Sequence, residues 1–276
     1  MVKAAKTVSA DLETSKPDSQ KSSVQSLAKG LRVLEAFGAD EEPLTITELA
    51  ERADLDPGTT FRMLNTLVEL GYVRRLEKRR YEITLKVLDL GFNAIGRRDL
   101  RSVVRPLLRA LVGGKIEAAS FGVLEGGNVV YVERVRAGFT RLGVDIRIGS
   151  GIPAAVNVLA QAILAHLPAA DLDQVLASHA SAAGYPVVSR ARLMPQLERI
   201  RVDGFAASSS QISAGLDVLA APVFDEGGYP IAGISIASPS IVCPAAEMRE
   251  LMLARLQATA KDIAKVMQMS GSSRIG

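Results

Sequence analysis

Cysteine and histidine are scarce: the 276 residues hold one cysteine, Cys243, and two histidines, His166 and His179. A single thiol cannot form an internal disulfide. No pair of Cys or His residues has C-x-x-C or H-x-x-x-H spacing, so neither a metal site nor any other cofactor is expected. Long apolar runs are missing as well. None reaches the roughly 18 uninterrupted apolar residues of a membrane span, and the opening stretch MVKAAKTVSADLETSKPDSQKSS has no apolar core for a signal peptide. The expected protein is soluble, cytoplasmic and without a membrane partner.

Catalytic constellations are equally sparse. Ser26-Leu27-Ala28-Lys29 fits S-x-x-K but stands in a helical pattern without the companion motifs. Gly233-Ile234-Ser235-Ile236-Ala237 nearly fits the hydrolase elbow G-x-S-x-G, yet it alternates like a strand and no helix follows. The two histidines lack a paired carboxylate pattern, and nothing near Cys243 would lower its pKa. No catalytic residue is expected, and the chain is read as a non-enzyme.

What is present is length enough for two domains, with 48% hydrophobic residues to fill their cores. Residues 1–23 are polar and aperiodic and read as a flexible tail. From Val24 a helical pattern begins, with Leu27, Leu31, Leu34 and Phe37 at spacings of three and four and Gly38 closing it. Thr45-x-x-Glu48 is a capping box, which starts a second helix at about Ile46. Asp56 as N-cap and Pro57 at the first helical position start a third, ending near Leu70 with Gly71 behind it. Residues 72–75 and 80–83 then alternate about Leu76-Glu77-Lys78-Arg79, as a hairpin would. Three helices and a hairpin make a winged helix-turn-helix, expected over residues 24–83.

Charge supports that reading through its distribution. Net charge is only +3, but RRLEKRR at residues 74–80 sets five cations against one carboxylate, whereas residues 40–56 carry seven carboxylates and one arginine. A basic run can be no more than a solvated loop; here it follows directly on the helices. In the third helix, Phe61, Leu64, Leu67 and Val68 are expected to face the core. Gly58, Thr59, Arg62 and Met63 are expected outward, with Thr60 beside them. That set suits double-stranded DNA: a helix N-terminus and hydroxyls for a phosphate, Arg62 for guanine, and methyl groups for thymine. The candidate DNA-contacting residues are Thr45, Thr59, Thr60, Arg62, Met63, Arg74, Arg75, Lys78, Arg79 and Arg80. A three-helix protein-interaction module is the competing reading.

Residues 84–100 read as a linker helix, apolar on more than one face. Residues 101–269 alternate between strand and helix as an α+β domain with a mainly antiparallel sheet between helices, of the kind that encloses small molecules. AASFGVLEGGNVVYVERV gives two strands about a Gly-Gly turn, RLGVDIRIGSGIPA another strand and a loop, NVLAQAILAHL a helix, and the stretch from Gly204 to Pro239 two or three more strands. A helix closes the chain before a short tail at 270–276.

Residues 24–269 resemble the IclR family of bacterial transcription regulators. The resemblance lies in SLAKGLRVLEAF, LTITELAERADLDPGTTFRMLNTLVELGYVRR, YEITLKVLDLGF and GLDVLAAPVFDEGGYPIAGISIASP, which are specific in combination. It implies a winged helix DNA-binding domain, a dimerising linker helix, a GAF-like effector domain, and a homodimer or tetramer on operator DNA. Its effector-pocket segments fall on Ile152 to Gln161 and Ser208 to Ala237. Members that bind small oxo-acids have a Gly-Ala pair where this chain has Val158-Leu159, a Cys where it has Val218, and two late serines where it has Ser235 and Ala237. The implied pocket is therefore more apolar, with Ser208, Ser209 and Ser210 joining Ser235 at its polar end. VLDLGF and LRSVVRP are similar to the subgroup that answers to aromatic acids such as protocatechuate and hydroxybenzoate. The expected function is a ligand-responsive transcriptional regulator with an aromatic or otherwise bulky organic acid as effector. A small-molecule-binding protein of the same fold without specific DNA binding is the alternative, which the basic wing and Arg62 disfavour.

Overall fold

The computed structural model describes residues 24–38, 42–90, 100–138, 146–178 and 185–269. The expected tails, His179 and most of the expected linker helix lie outside these residues. The chain divides into two compact units, Met1–Leu90 and Gly91–Gly276.

In the first unit α1 (Gln25–Glu35), α2 (Ile46–Ala53) and α3 (Pro57–Glu69) surround a core of Val33, Phe37, Leu44, Leu49, Leu64, Val73 and Tyr81. The capping box forms as the sequence requires: the Thr45 N–H donates to Glu48 Oε2 at 2.7 Å, and the Glu48 N–H donates to Thr45 Oγ1 at 3.4 Å. Asp56 Oδ1 accepts the Thr59 N–H at 2.8 Å and caps α3. The strands β1 (Leu44–Thr45), β2 (Val73–Arg75) and β3 (Arg80–Ile83) form an antiparallel sheet in the order β1-β3-β2. β1 is too short to show as alternation in sequence; it exists because Leu44 pairs with Tyr81 and Thr45 with Arg80. The first helix departs from expectation. Leu27 and Leu31 remain 63% and 50% exposed, and the core side is Val33, Ala36 and Phe37.

The second unit is a six-stranded sheet in the order β6-β5-β4-β9-β8-β7, every pairing antiparallel. Its strands are β4 (Ala118–Glu125), β5 (Asn128–Arg136), β6 (Gly151–Pro153), β7 (Ala206–Ser209), β8 (Leu216–Phe224) and β9 (Pro230–Pro239). α4 (Leu100–Leu111) and α8 (Ala245–Met269) cover one face through Leu108, Leu256 and Ile263, packed on Phe121, Leu219 and Ile234. α5 (Val158–Leu164), α6 (Ala169–Ala177) and α7 (Arg190–Asp203) cover the other. Two of these, α6 and α7, have no counterpart in the sequence reading. Of the strand and loop expected over residues 141–154, residues 141–145 lie outside the described residues; the described part pairs with β5 as the three-residue β6, Gly149 and Ser150 bond the Tyr131 backbone, and Ile146 lines the pocket. No helix among the described residues is long and apolar enough to cross a membrane.

Two close constraints fix the layers. Asp217 on β8 accepts from Ser209 Oγ (2.7 Å), Ser240 Oγ (2.8 Å) and the Ala245 N–H at the start of α8 (2.7 Å). Burial alone would push its carboxyl pKa up, but these hydrogen bonds outweigh it and hold the group below its ordinary value. On the opposite face Gly122 and Gly233 are cross-strand partners under α5. A methyl group on Gly233 would stand 2.9 Å from Leu159 Cδ2 and 3.1 Å from Ile163 Cγ1.

Gly233→Ala is accordingly expected to destabilise the chain by about 1 to 3 kcal/mol, because it overpacks a seat with no slack. Chemical denaturation checks this; an unchanged midpoint would mean that α5 shifts freely over the sheet.

Candidate functional site

On α3 the outward face is rotated from the expected one. Thr60 is fully buried, with its hydroxyl donating to the Asp56 carbonyl at 3.0 Å, and Thr59 is buried beneath Arg62, whose Nη2 donates to Thr59 Oγ1 at 3.3 Å. Met63 is half-buried, its sulfur 3.8 Å from where a methyl group on Gly30 of α1 would lie. α1 thus approaches α3 at Met63, and Phe61 is turned outward to 42% exposure. The face left to solvent is Gly58, Phe61, Arg62, Asn65, Thr66 and Glu69. Phe61, expected in the core, and Thr59 and Thr60, expected outside, exchange places. Apolarity misassigned them, because a threonine whose hydroxyl bonds its own helix backbone packs as a small hydrophobe.

The wing divides its cations between structure and surface. Arg74 pairs with Glu82 across the hairpin, and Arg80 Nη1 donates to the Pro43 carbonyl at 2.6 Å, tying β3 to the chain before α2. Arg75, Lys78 and Arg79 are exposed around the turn. Lys78 and Arg79 both take left-handed φ values, 56° and 58°, so the tip reverses tightly without a glycine. Thr45, the remaining expected contact, is half-buried with its hydroxyl engaged by Glu48 at 2.8 Å. Behind the wing, Lys86 Nζ donates to the Leu70 carbonyl at the end of α3 (2.7 Å) and lies 5.0 Å from the Tyr72 ring centre.

In the second unit a cavity of about 30 Å³ lies between the sheet and the start of α5. It gathers six of the eight expected pocket residues: Val158, Leu159, Ser210, Val218, Ser235 and Ala237. Ser208 opens instead to a separate groove beside Gln196 and Arg199, and Ser209 turns through the sheet to Asp217. Strand alternation splits the serine run.

The pocket's strongest polar groups come from β5 and the α5 cap. Arg134 is the one charged side chain among the described lining residues; its Nη1 donates to Ser120 Oγ at 2.9 Å. Ser120 pairs in register with Ser235 on β9, so Arg134, Ser120 and Ser235 form a polar row across the sheet. Tyr131 OH accepts from Asn157 Nδ2 at 2.9 Å, and Asn157 Oδ1 caps α5 by accepting the Ala160 N–H at 3.2 Å. Burial raises the Tyr131 pKa above its ordinary value, against the opposing Asn157 bond, so the phenol stays neutral and can donate to a ligand oxygen. Ile146, Ile212 and Leu216 complete an apolar wall with Val158, Leu159 and Val218. Sequence reasoning missed Tyr131, Arg134 and Asn157. Asn157 before a helical run was a readable N-cap, but a register break in β5 hides which of its residues share a face.

Ser235, the serine of the near-elbow motif, lies mid-strand between Ser120 and Ala220 rather than on a strand-to-helix turn. Ser26 and Lys29 lie on α1.

Two family models match the chain: the IclR helix-turn-helix domain over residues 26–77 and the bacterial transcriptional regulator IclR C-terminal domain over residues 92–265. The HTH-type transcriptional regulator KdgR of Dickeya chrysanthemi is 31% identical over 227 residues, 81% of this chain and 74% of that protein. The Pca regulon regulatory protein of Pseudomonas putida is 26% identical over 240 residues, 86% of this chain and 82% of that one. Among solved structures, an IclR homologue from Microbacterium hydrocarbonoxydans complexed with 4-hydroxybenzoate shares the fold at a TM-score of 0.71. It is 23% identical, with 89% of this chain and 100% of the other covered. With its C-terminal family model alone spanning more than half the sequence, the chain belongs to the IclR family of transcriptional regulators, built from a helix-turn-helix DNA-binding domain and a ligand-binding C-terminal domain.

Proposed function

We propose that the chain regulates a catabolic operon by binding double-stranded operator DNA as a homodimer or tetramer, and that its effector is an aromatic or otherwise bulky carboxylic acid. The observation that carries the effector reading is the pocket's polarity: one cation, Arg134, backed by a serine row, faces a wall of Val158, Leu159 and Val218. A carboxylate on Arg134 makes charge-assisted hydrogen bonds. The ring then lies on the apolar wall, where burial contributes about 25 cal/mol per Å². A small, highly hydrated acid loses its water there without that return. The present cavity, at about 30 Å³, is smaller than a ring, so binding requires its lining to give way. The Pca regulator's name and the 4-hydroxybenzoate complex make aromatic acids the natural first probes.

For DNA, the exposed face of α3 offers Arg62 to guanine, Asn65 to adenine and Phe61 to a thymine methyl. The exposed wing cations Arg75, Lys78 and Arg79 reach phosphates, while Arg74 and Arg80 hold the wing's shape.

Arg62→Ala should lower operator affinity by about 1 to 3 kcal/mol with the fold intact; an equal loss on random DNA would make Arg62 a phosphate anchor. Neutralising Arg75, Lys78 and Arg79 together should weaken binding to all sequences and flatten the salt dependence by up to about 2.7, roughly 0.9 per released counterion. Arg80→Gln should leave that slope alone. Arg134→Ala should weaken 4-hydroxybenzoate or protocatechuate binding by about 10-fold or more in calorimetry. Tighter binding of glyoxylate than of every aromatic acid tested would refute the effector reading.

A further inference from the structure

Tyr131 and Arg134 both line the pocket, although residues three apart on a regular strand point to opposite faces. A β-bulge resolves the conflict. Gly122 of β4 pairs with Tyr131 but Phe121 pairs with Glu133, so Val132 is an extra residue. Val132 and Glu133 are thereby turned together toward the opposite face, the one that α4 covers. There the Glu133 carboxylate is buried with 1% side-chain exposure. Its Oε2 accepts from Arg101 Nε at 3.0 Å, and its Oε1 accepts both from Arg105 Nη1 at 2.9 Å and from the Arg134 backbone N–H at 3.0 Å.

One carboxylate therefore holds two things at once. Through Oε1 it grips the backbone of the residue that carries the pocket's cation. Through Arg101 and Arg105, one helical turn apart, it grips the start of α4. α4 is the first described element after residues 91–99, the segment by which the chain passes from the first unit to the second. A buried carboxylate cannot replace a lost partner with water, so a shift of the Arg134 backbone must be answered by its other donors. The arginines can answer, because their side chains are 33% and 58% exposed and have water as an alternative partner.

We propose that Glu133 is a positioning residue for regulation: it converts displacement of Arg134 into movement of the first turns of α4. An acid drawn to Arg134 pulls its guanidinium from Ser120, the bulge at Val132 yields because it is the one irregular point of β5, and the Glu133 cluster rearranges. The acid as trigger rests on the effector reading above; the mechanical link from Arg134 to α4 does not.

Amide hydrogen exchange on the full chain tests the link alone. Arg134→Ala should speed exchange at Val104, Arg105 and Leu107 about tenfold in the native background, and should add nothing when Glu133→Gln is already present. Equal acceleration in both backgrounds overturns the proposal. A second arm titrates 4-hydroxybenzoate against operator affinity. Glu133→Gln should bind the acid within about twofold of the native chain yet lose its effect on DNA affinity, a factor of about 5 to 150 for coupled sites. An undiminished factor also overturns the proposal. Failure of the native chain to bind 4-hydroxybenzoate counts against the effector reading, and the exchange experiment then decides the link. Should Glu133→Gln not fold, Arg105→Gln takes its place in both arms with the same expected outcomes.

Discussion

The seat of α5 on the paired glycines Gly122 and Gly233 is the constraint from which the ligand-binding unit is organised. A seven-residue helix has too few internal hydrogen bonds to persist alone. It persists here because two adjacent strands lack a Cβ at the same level, so Leu159 and Ile163 can reach the backbone of the sheet. That approach sets the height of the helix and hence of Val158 and Leu159, which become the pocket's wall. Asn157 then fixes the helix along its axis by capping it and donating to Tyr131. The outer helices inherit this placement: Gln161 of α5 accepts from Gln196 of α7 at 2.8 Å while donating to the Ala155 carbonyl.

In the DNA-binding unit the corresponding constraint is the capping chemistry at the corner between α2 and α3. Thr45 with Glu48 starts one helix, Asp54 in a left-handed conformation ends it, and Asp56 with Pro57 starts the next two residues on. These groups fix where α3 begins, but its rotation is fixed by what α1 accepts. The flexible Met63 lets the two helices approach at Gly30, while Thr59 and Thr60 are buried and the bulky Phe61 is left exposed. Charge is apportioned by the same logic. Of the run RRLEKRR, Arg80 is tied to the Pro43 carbonyl and Arg74, although 67% exposed, pairs with Glu82, while Lys78 and Arg79 stand on a tip whose two left-handed residues cost about 1 to 2 kcal/mol each.

This division explains what could be read from the sequence. Features written in neighbouring residues were legible: the capping box, the Asp-Pro start of α3, the Gly-Gly hairpin of β4 and β5, and the long closing helix. Features that depend on distant partners were not. β1 is two residues long and is defined by Tyr81 and Arg80, 35 or more positions away. Six of eight expected pocket residues converge because resemblance placed them there; the serine run failed because three consecutive residues on and beyond an edge strand cannot all face one cavity. Arg134 was illegible for a sharper reason. The bulge at Val132 inverts the parity on which any reading of β5 depends, and Glu133 and Arg134 exchange faces relative to a regular strand.

The same inversion gives the pocket its chemistry. Without the bulge, the same residues in regular alternation would turn Glu133 into the cavity beside Tyr131, and an anionic pocket would repel an acid. With it, the carboxylate is sequestered against Arg101 and Arg105 and the guanidinium of Arg134 is presented instead. In the proposed acid-binding role, selectivity would follow from the cavity's size. At about 30 Å³ the site must open before any ring can enter, and opening lowers the apparent affinity of every ligand by the fraction of open molecules. An aromatic ring that buries about 150 Å² recovers roughly 4 kcal/mol, more than the roughly 2.7 kcal/mol that holds a 99:1 closed population. A two- or three-carbon acid has the same carboxylate for Arg134 but little apolar surface to set against the opening. In the acid-binding reading, a narrow cavity thus favours the bulkier ligand, provided that its added surface is apolar.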